Sequence, residues 1–340
     1  MKGENGVKHI IRNVVMNYFK EIHSLAVEEE LHKNSWHTDL HYKIIVNGKQ
    51  YSARFINSKR TINPAFGALS NEQLKEQVRF TYYVREHGIP FMQINKNRAG
   101  EPFTLVAWNE RQYRFVLSNW IEGEHITHCT EAIAKAFGKE ARKIHDISCA
   151  FQSSIFQKKS HLDGYAQFIH MLESKASACK ELREYIKLAT YHIECAYTGE
   201  LKFIVQTDLN PLNVLWDSSE QVKGIVDAES IGYVDRIEGL AFLLKWYSRT
   251  EGIHSHEVCS SVASAFLEGY KAHNIVTSND YKRLSSLLWL SGSLNWNFVK
   301  KTLSVISDKR KLEEHLEVYR VRGERLSSLI SREERANSFE

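Results

Sequence analysis

The stretch FIVQTDLNPLNVLWD, residues 203–217, decides how this chain is interpreted. A run of apolar residues typical of a buried strand stops at a group of polar residues and resumes at Val214 as a second short strand. Within the break, Asp208 and Asn213 stand five residues apart on a tight loop. Polar residues are common in surface turns, so this spacing alone is a weak signal. The more specific interpretation is that both side chains face a site of phosphate transfer.

A further carboxylate follows in the segment VKGIVDAES, where Asp227 ends the next apolar run after a predicted hairpin. Phosphoryl transfer needs a group that orients the acceptor hydroxyl, a bound magnesium ion and cations that steady the phosphates. Asp208 can orient or accept the hydroxyl proton, whereas Asn213 and Asp227 offer the carboxylate and amide oxygens that magnesium prefers. The whole series of strand, loop, hairpin and strand with these side chains is much more specific than any one member.

The composition is that of an ordinary globular protein. The chain has 340 residues, of which 43% are hydrophobic and 25% charged, enough for one large or two modest domains. The net charge of +4 and the lack of a long basic block predict neither a nucleic-acid nor a membrane partner. We expect a cytoplasmic protein, because no signal peptide or membrane span is apparent and the five cysteines are scattered.

The first part of the chain mixes helix and strand patterns. Helical spacing predicts an N-terminal helix in VKHIIRNVVMNYFKEI. The dipeptide Asn47-Gly48 supplies the positive φ angles of a two-residue turn and predicts a hairpin in DLHYKIIVNGKQYSARFI. A helix is predicted from the N-cap Ser70 to Gly88. The segment RQYRFVLSNWI predicts another strand, which closes at Gly123.

Helical patterns dominate after Cys129, and the exception is a pair of short β runs within residues 201–227. This order of elements predicts an α+β fold with two lobes. We place a β-rich N-terminal lobe in residues 1–123 and a mainly helical C-terminal lobe in residues 124–340. The segment NDYKRLSSLLWLSGSLNWNFVKKTL is expected to be helical throughout.

The segment VQTDLNPLNVLWDSSEQVKGIVDAESIGYVDRIEGLAFLL resembles the aminoglycoside phosphotransferase/choline kinase superfamily, whose members are relatives of protein kinases. Members typically have a His-x-Asp-x-x-x-x-Asn loop, a hairpin and a metal-binding Asp. The resemblance implies a protein kinase-like fold with an N-terminal nucleotide-binding lobe and a C-terminal catalytic and acceptor-binding lobe. It implies transfer of the γ-phosphate of ATP or GTP, with Mg2+, to a hydroxyl of an antibiotic, sugar or amino alcohol. The acceptor, the purine and the oligomeric state stay open.

The resemblance also assigns roles within the strong motif. Asp208 would be the catalytic base, Asn213 and Asp227 would be magnesium ligands, and Asp235 either fixes the loop architecture or is an exposed turn aspartate. Gln206 stands where the family usually has a histidine that bonds the loop backbone. Because an amide can both donate and accept hydrogen bonds, we expect the chemistry to persist. The alternative is a catalytically weak, nucleotide-binding pseudokinase that acts by interaction.

The N-terminal lobe resembles the family only in its arrangement. Arg54, in the strand QYSARFI, would reach the nucleotide phosphates, unless it simply faces water. A helix glutamate would pair with it, and Glu76 fits best, with Glu72 as the alternative. The backbone around Asn119 and Ile121, in FVLSNWIEGE, would hydrogen-bond the purine. No glycine-rich loop is present, so backbone amides of residues 35–38 would have to cradle the phosphates.

In the resembled family the late helices form the wall of the acceptor site. Trp289 and Trp296, seven residues apart, are expected on one helical face, as core residues or as aromatic contacts for a cationic group. Asn295 or Asn297 could bond acceptor hydroxyls. Residues 284–303 contain no Asp or Glu, which argues against a polycationic aminoglycoside unless carboxylates from TGE or RTEG contribute.

Overall fold

The structure is a computed structural model, and it describes residues 2–31, 39–58, 69–156, 158, 160–176, 179–199, 203–228 and 230–330. The chain divides into two compact units: residues 1–123 with 223–229, and residues 124–222 with 230–340. Residues 35–38, the expected phosphate-cradling segment, lie outside the described residues. Among the helices of the described part, none combines the length and apolar character needed to cross a bilayer.

The first unit is built on an antiparallel sheet. Its elements are α1 (Lys2–Val15), β1 (Leu25–Leu31), β2 (Leu40–Val46), β3 (Lys49–Asn57), α2 (Asn71–Glu86), β4 (Ile94–Asn95), β5 (Thr104–Trp108) and β6 (Arg111–Asn119). The strand order in the sheet is β1-β2-β3-β6-β4, and β5 also pairs with β6. One sheet face forms a core with α1, in which Ile11, Phe55 and Phe115 are buried. The other face packs on α2 through Val116 and Val78.

The hairpin predicted at Asn47-Gly48 is confirmed. The two residues have φ angles of 50° and 77°, and Val46 of β2 pairs with Lys49 of β3. The hairpin between β5 and β6 was not predicted, because its turn contains no glycine: Asn109 and Glu110 adopt φ angles of 46° and 61°. β1 was also missed, since its sequence LAVEEEL lacks a clean alternation of apolar and polar residues.

The helix predicted from Ser70 is confirmed as α2. The Ser70 hydroxyl accepts a hydrogen bond from the Gln73 N–H at 3.1 Å, and the Gln73 side chain accepts one from the Ser70 N–H at 2.8 Å. This reciprocal capping box satisfies two of the N–H groups that a helix start leaves unpaired. The chain leaves the helix through Gly88, whose φ is 79°.

The second unit is mainly helical. Its elements are α3 (Glu131–Ser148), α4 (His161–Ala176), α5 (Lys180–Ala196), β7 (Phe203–Gln206), β8 (Val214–Trp216), β10 (Ile231–Val234), α6 (Arg236–Tyr247), α7 (Ser260–Tyr270), α8 (Ser278–Ser293), α9 (Trp296–Val305) and α10 (Lys309–Ser327). β7 and β10 form a small antiparallel ladder. The strand β9 (Val222–Ile225) lies, apart from Val222, in the segment that belongs to the first unit. α3 crosses α7 closely at Gly138 and Gly269, where a Cβ would lie 2.3 Å and 2.1 Å from backbone oxygens of the other helix. The α+β fold with a β-rich first part and a helical second part is confirmed.

The continuous helix expected over residues 279–303 is wrong, because the chain breaks between α8 and α9. Leu294 is extended, with φ −133° and ψ 109°. The Asn295 side chain then accepts a hydrogen bond from the Phe298 N–H at 2.9 Å and starts a new helix. An asparagine at this position competes with helix continuation because it caps a helix better than it extends one.

The break separates the two tryptophans that were expected on one helical face. Trp289 is 2% exposed and stacks on His192 with ring centroids 4.3 Å apart, so it is a core residue. Trp296 is 48% exposed on the first turn of α9. The prediction of a shared aromatic face is therefore wrong, and it gives no support for a cationic acceptor.

Candidate active site

The loop after β7 is anchored on both sides of the expected catalytic residue. Thr207 donates hydrogen bonds to the Ser230 carbonyl from its N–H at 2.7 Å and from its hydroxyl at 2.8 Å. Leu209 is fully buried. Asp208, between them, is half-buried. The loop therefore projects one carboxylate from a backbone that is fixed at its neighbours.

Hydrogen bonds also hold the Asp208 carboxylate in place. The Asn210 side-chain amide donates to Oδ1 of Asp208 at 2.8 Å. Its own amide oxygen accepts from the Leu212 N–H at 2.9 Å, which caps the short helical turn Pro211–Asn213. One asparagine thus joins the carboxylate to the turn that follows, a contact that the sequence spacing alone did not reveal.

Asn213 is oriented by the same loop. Its Nδ2 donates to the backbone carbonyl of Asp208 at 2.7 Å. The Oδ1 atom accepts no hydrogen bond from any residue within the described ranges. The two predicted residues are therefore in contact, and the amide group presents the oxygen that a hard cation would need.

Gln206, which stands in place of the family's usual histidine, is 2% exposed at the end of β7. Its side-chain oxygen accepts a hydrogen bond from the Asp208 N–H at 3.4 Å. This is the backbone contact for which an amide group was expected to suffice. The bond is long, so it constrains the loop less than one near 2.9 Å would.

Asp227 lies just after β9, in the segment that belongs to the first unit. There the Ile225 N–H donates to Pro90 and the Ile225 carbonyl accepts from Met92, both at 2.8 Å. Asp227 has a φ of 64°, in the left-handed region that asparagine and aspartate tolerate better than other side chains with a Cβ. Its role as a magnesium ligand stays a prediction.

Asp235 is 9% exposed, so the interpretation as an exposed turn aspartate is wrong. Its Oδ2 accepts a hydrogen bond from the Glu238 N–H at 3.1 Å and caps the start of α6. The same oxygen lies 2.6 Å from a guanidinium nitrogen of Arg283, on α8. This carboxylate joins α6 to α8.

Arg54 does not extend into water, since its side chain is only 25% exposed. It lies 3.3 Å from Asp39, whose carboxylate also accepts the Asn57 N–H at 2.9 Å. In the sheet register Arg54 stands opposite Val116, which packs on α2. Arg54 therefore faces the same side of the sheet as the helix that carries the candidate glutamates.

Of those two glutamates, Glu76 is the better candidate. Its side chain is 11% exposed and accepts two hydrogen bonds from Arg79, at 2.8 Å and 2.5 Å. Glu72 is exposed on the first turn of α2, where hydrogen bonds to the backbone and to Ser70 lower its pKa. Pairing of Glu76 with Arg54 stays a prediction.

The two backbone positions after β6 that were predicted to bind the purine differ in whether their hydrogen-bonding groups are already paired. The Asn119 N–H is already bonded to the Gln93 carbonyl at 2.9 Å. The Ile121 backbone, in contrast, makes no hydrogen bond to any residue that the structure describes. Gly224 accommodates the Ile121 side chain, since a Cβ at that glycine would lie 2.7 Å from it. Of the two predicted purine contacts, Ile121 has the available backbone.

Sequence reasoning missed a group of cations at the end of α6. Lys245 and Arg249 flank Trp246, with Nζ 5.4 Å and Cζ 4.5 Å from the centroid of the indole ring. Burial and, to a lesser extent, the charge of Arg249 lower the pKa of Lys245 to about 8, and the charge of Asp208 opposes this change. The sequence feature that could have indicated this group is the run KWYSR, residues 245–249, where two cations and aromatic residues follow an apolar helical segment.

The fold and the loop together define a two-lobed, protein kinase-like phosphotransferase. Residues 42–286 match the sequence profile of the phosphotransferase enzyme family, and this segment exceeds half of the 340 residues. The chain therefore belongs to this family, as the motif around Asp208 predicted, and it is a phosphotransferase with an alcohol group as acceptor. A search of curated proteins found no significant match.

Solved structures with the same fold include three small-molecule kinases. An aminoglycoside phosphotransferase from Alicyclobacillus acidocaldarius has a TM-score of 0.66 at 15% identity, with 96% of each chain covered. An amicoumacin kinase in complex with AMP-PNP, Ca2+ and Ami has a TM-score of 0.63 at 14% identity, covering 95% of this chain and 96% of that one. A microcompartment-associated aminopropanol kinase has a TM-score of 0.60 at 12% identity, covering 98% and 99%. At these identities the likeness concerns the fold.

Proposed function

We propose that the protein transfers the γ-phosphate of ATP or GTP, with magnesium, to a hydroxyl group of a small molecule such as an antibiotic, a sugar or an amino alcohol. The observation that carries the proposal is the loop in which hydrogen bonds fix the Asp208 carboxylate and the Asn213 amide. Asp208 orients the acceptor hydroxyl and takes up its proton. Most of the acceleration then comes from positioning and charge stabilisation.

The proposed metal ligands have the chemistry that magnesium requires. Asn213 would bind it through Oδ1, and Asp227 through its carboxylate, while water completes the coordination. Magnesium, when bound, neutralises negative charge on the phosphates during transfer. The solved amicoumacin kinase with AMP-PNP and Ca2+ supports a nucleotide and a divalent ion as requirements.

The nucleotide would be bound by the N-terminal lobe, residues 1–123. Arg54, steadied by Asp39, would contact its phosphates, and Glu76 would orient that arginine. The backbone of Ile121 would bond the purine, with Asn119 supporting the segment through its bond to Gln93. Contacts of this backbone, rather than side chains, would then distinguish adenine from guanine.

The test combines ligand-dependent melting with transfer assays. A magnesium-dependent rise in melting temperature with ATP or GTP is expected, worth about 2.7 kcal/mol at a hundredfold excess over the dissociation constant. Asp208→Asn keeps the oxygen that accepts from Asn210 but removes the base, so transfer should fall by about 10²–10⁴-fold. Asp227→Asn should abolish the dependence of the nucleotide-induced rise in melting temperature on magnesium.

The matched control is Asp217→Asn. Asp217 is a true turn aspartate, whose carboxylate accepts the N–H groups of Ser219 and Gln221 at 2.9 Å and 3.1 Å. This variant should keep full transfer activity. Retained turnover in both Asp208→Asn and Asp227→Asn would contradict the site. Nucleotide binding that is indifferent to magnesium and never leads to transfer would instead favour the pseudokinase that acts by interaction.

A further inference from the structure

Lys245 and Trp246, at the end of α6, form a cationic platform within the second unit together with Arg249, which follows the helix. The Arg249 Nε donates to the Lys245 carbonyl at 3.1 Å, and the Arg249 carbonyl accepts the Cys129 N–H at 2.9 Å. Both cations lie against the indole ring of Trp246, an arrangement that cation–π attraction stabilises. The platform is thus held by backbone bonds and ring contacts rather than by carboxylates.

The positive charge of this platform is not balanced by ion pairs. Within the described ranges, neither Lys245 nor Arg249 forms an ion pair with a carboxylate. Two further cations, Arg322 and Arg325, lie in the surroundings. Burial is the largest cause of the lowered pKa of His256, and these two arginines lower it further together with Arg249 and Lys245. Glu257 neutralises Arg325. Lys245 is half-buried and Arg249 is 5% exposed. Like charges that are withdrawn from water cost free energy, so an anion that binds there would be favoured.

The platform lies one helical turn beyond a residue that lines the same cavity as the candidate catalytic loop. A cavity in the second unit is lined by Thr207, the residue before Asp208, and by Phe242 of α6. The Phe242 ring lies 6.1 Å from the Trp246 ring, one helical turn further along. The carboxylate of Asp208 is close enough to raise the pKa of Lys245 against the effect of burial. An anion on the platform would therefore lie near the hydroxyl that Asp208 is proposed to orient.

The platform also carries an unused donor. The indole Nε1 of Trp246 is buried and has no hydrogen-bond partner among the described residues. A buried N–H that is left unpaired costs about 1–3 kcal/mol, and the oxygen of a bound anion would satisfy it. Trp246 thereby adds a directional contact to the charge of its two neighbours.

We propose that the acceptor is an anionic hydroxyl compound, whose carboxylate or phosphate group is bound by Lys245 and Arg249 beside Trp246 while its hydroxyl faces Asp208. The inference rests on the proposed kinase function and narrows its substrate class. A polycationic aminoglycoside would be repelled by this platform. The absence of Asp and Glu from residues 284–303 agrees with that preference.

The test uses pairs of acceptors that differ in a carboxylate: gluconate against sorbitol, pantothenate against pantothenol, and glycerate against glycerol, with kanamycin as the cationic member. Initial rates of transfer from magnesium-ATP or magnesium-GTP are measured for the wild type, Lys245→Met, Arg249→Gln and the control Lys187→Met. Lys187 is an exposed lysine on α5, so its variant removes one charge elsewhere. Methionine keeps the length of the Lys245 side chain without its charge.

The wild type should prefer an anionic member over its neutral partner by about 10-fold or more in kcat/KM, since a charged hydrogen bond contributes roughly that much. Lys245→Met and Arg249→Gln should each remove most of this preference, and Lys187→Met should keep it. Preference for a neutral or cationic acceptor would overturn the proposal while leaving the kinase function standing. The proposal would also be overturned if Lys245→Met lost the same fraction of its rate on the anionic and on the neutral acceptors. That result would indicate that Lys245 contacts the transferred phosphoryl group.

If no member is phosphorylated, melting temperatures decide the inference independently of turnover. Gluconate should raise the melting temperature of the wild type and of Lys187→Met more than sorbitol does, and this difference should vanish in Lys245→Met. An equal effect of gluconate on all three proteins would overturn the proposal. Failure of the kinase function would appear separately, as the lack of any magnesium-dependent effect of ATP or GTP.

Discussion

Gly269→Ala is expected to destabilise the second unit, because the glycine lies where α7 crosses α3. A Cβ at this position would stand 2.1 Å from the carbonyl oxygen of Lys135, and 2.9 Å from its carbonyl carbon. The obstacle is helix backbone, which cannot rotate away as a side chain could. At the same crossing, a Cβ at Gly138 would lie 2.3 Å from the carbonyl oxygen of Phe266, so neither helix can slide to make room.

The magnitude follows from two opposing effects. Relief of the contact requires the helices to separate by about 1 Å, and overpacking of a core typically costs about 1–3 kcal/mol, here at the upper end because both partners are backbone. Replacing a helical glycine by alanine returns roughly 1 kcal/mol through helix propensity. We therefore expect Gly269→Ala to lower the free energy of unfolding by about 2 kcal/mol.

Thermal or urea unfolding measures the effect, and Gly164→Ala is the matched control. Gly164 is also helical, on α4, but a Cβ there would meet nothing within 4 Å. The control variant should be more stable than the wild type by up to about 1 kcal/mol. If Gly269→Ala were as stable as Gly164→Ala, the close crossing of α3 and α7 would be refuted.

Three further predictions concern the surroundings of the candidate site. Asp235→Asn keeps the cap of α6 but removes the charge beside Arg283, and should lower the free energy of unfolding by about 2 kcal/mol, measured by urea denaturation. Burial raises the pKa of Glu238 from 4.5 to about 7, so the folded state binds its proton more tightly and stability should fall as pH rises through this range. Melting temperatures at pH 5 and pH 8 should show this loss in the wild type and not in Glu238→Gln. Gln206→Leu removes the acceptor of the Asp208 N–H and should lower kcat by about tenfold, whereas Gln206→His should restore it; an unchanged kcat in Gln206→Leu would exclude a role for this bond.

Much of the fold could be predicted because its signals are local. The hairpin at Asn47-Gly48 depends on the φ angles of two adjacent residues, and the start of α2 depends on two side chains within one turn. The break after α8 was missed although its signal is also local: the cap made by Asn295 lies within an apolar run whose period continues across it. A continuous period in sequence does not show where the chain changes direction.

The candidate site was predicted in part for the same reason. Asp208 and Asn213 are joined by a hydrogen bond across five residues, which is short enough for spacing to indicate it. The burial of Arg54 and its pairing with Asp39 could not be predicted from the strand pattern. The alternation of apolar and polar residues assigns a side chain to one face of the sheet, but it does not show which residue contacts that side chain. The sequence already favoured Glu76 over Glu72, whereas the burial of the Glu76 carboxylate depends on how α2 packs.

The sequence by itself determined the phosphotransferase family, the catalytic loop and the order of β-rich and helical parts. These depend on side chains within a few residues of one another, whose backbone preferences and hydrogen bonds act locally. Only the tertiary structure decided that Asp235 is paired with Arg283, 48 residues away, and that the charged side chain of Arg249 is buried. Charges and burial depend on elements that are distant in the chain and meet only when the core packs, so no local pattern could specify them.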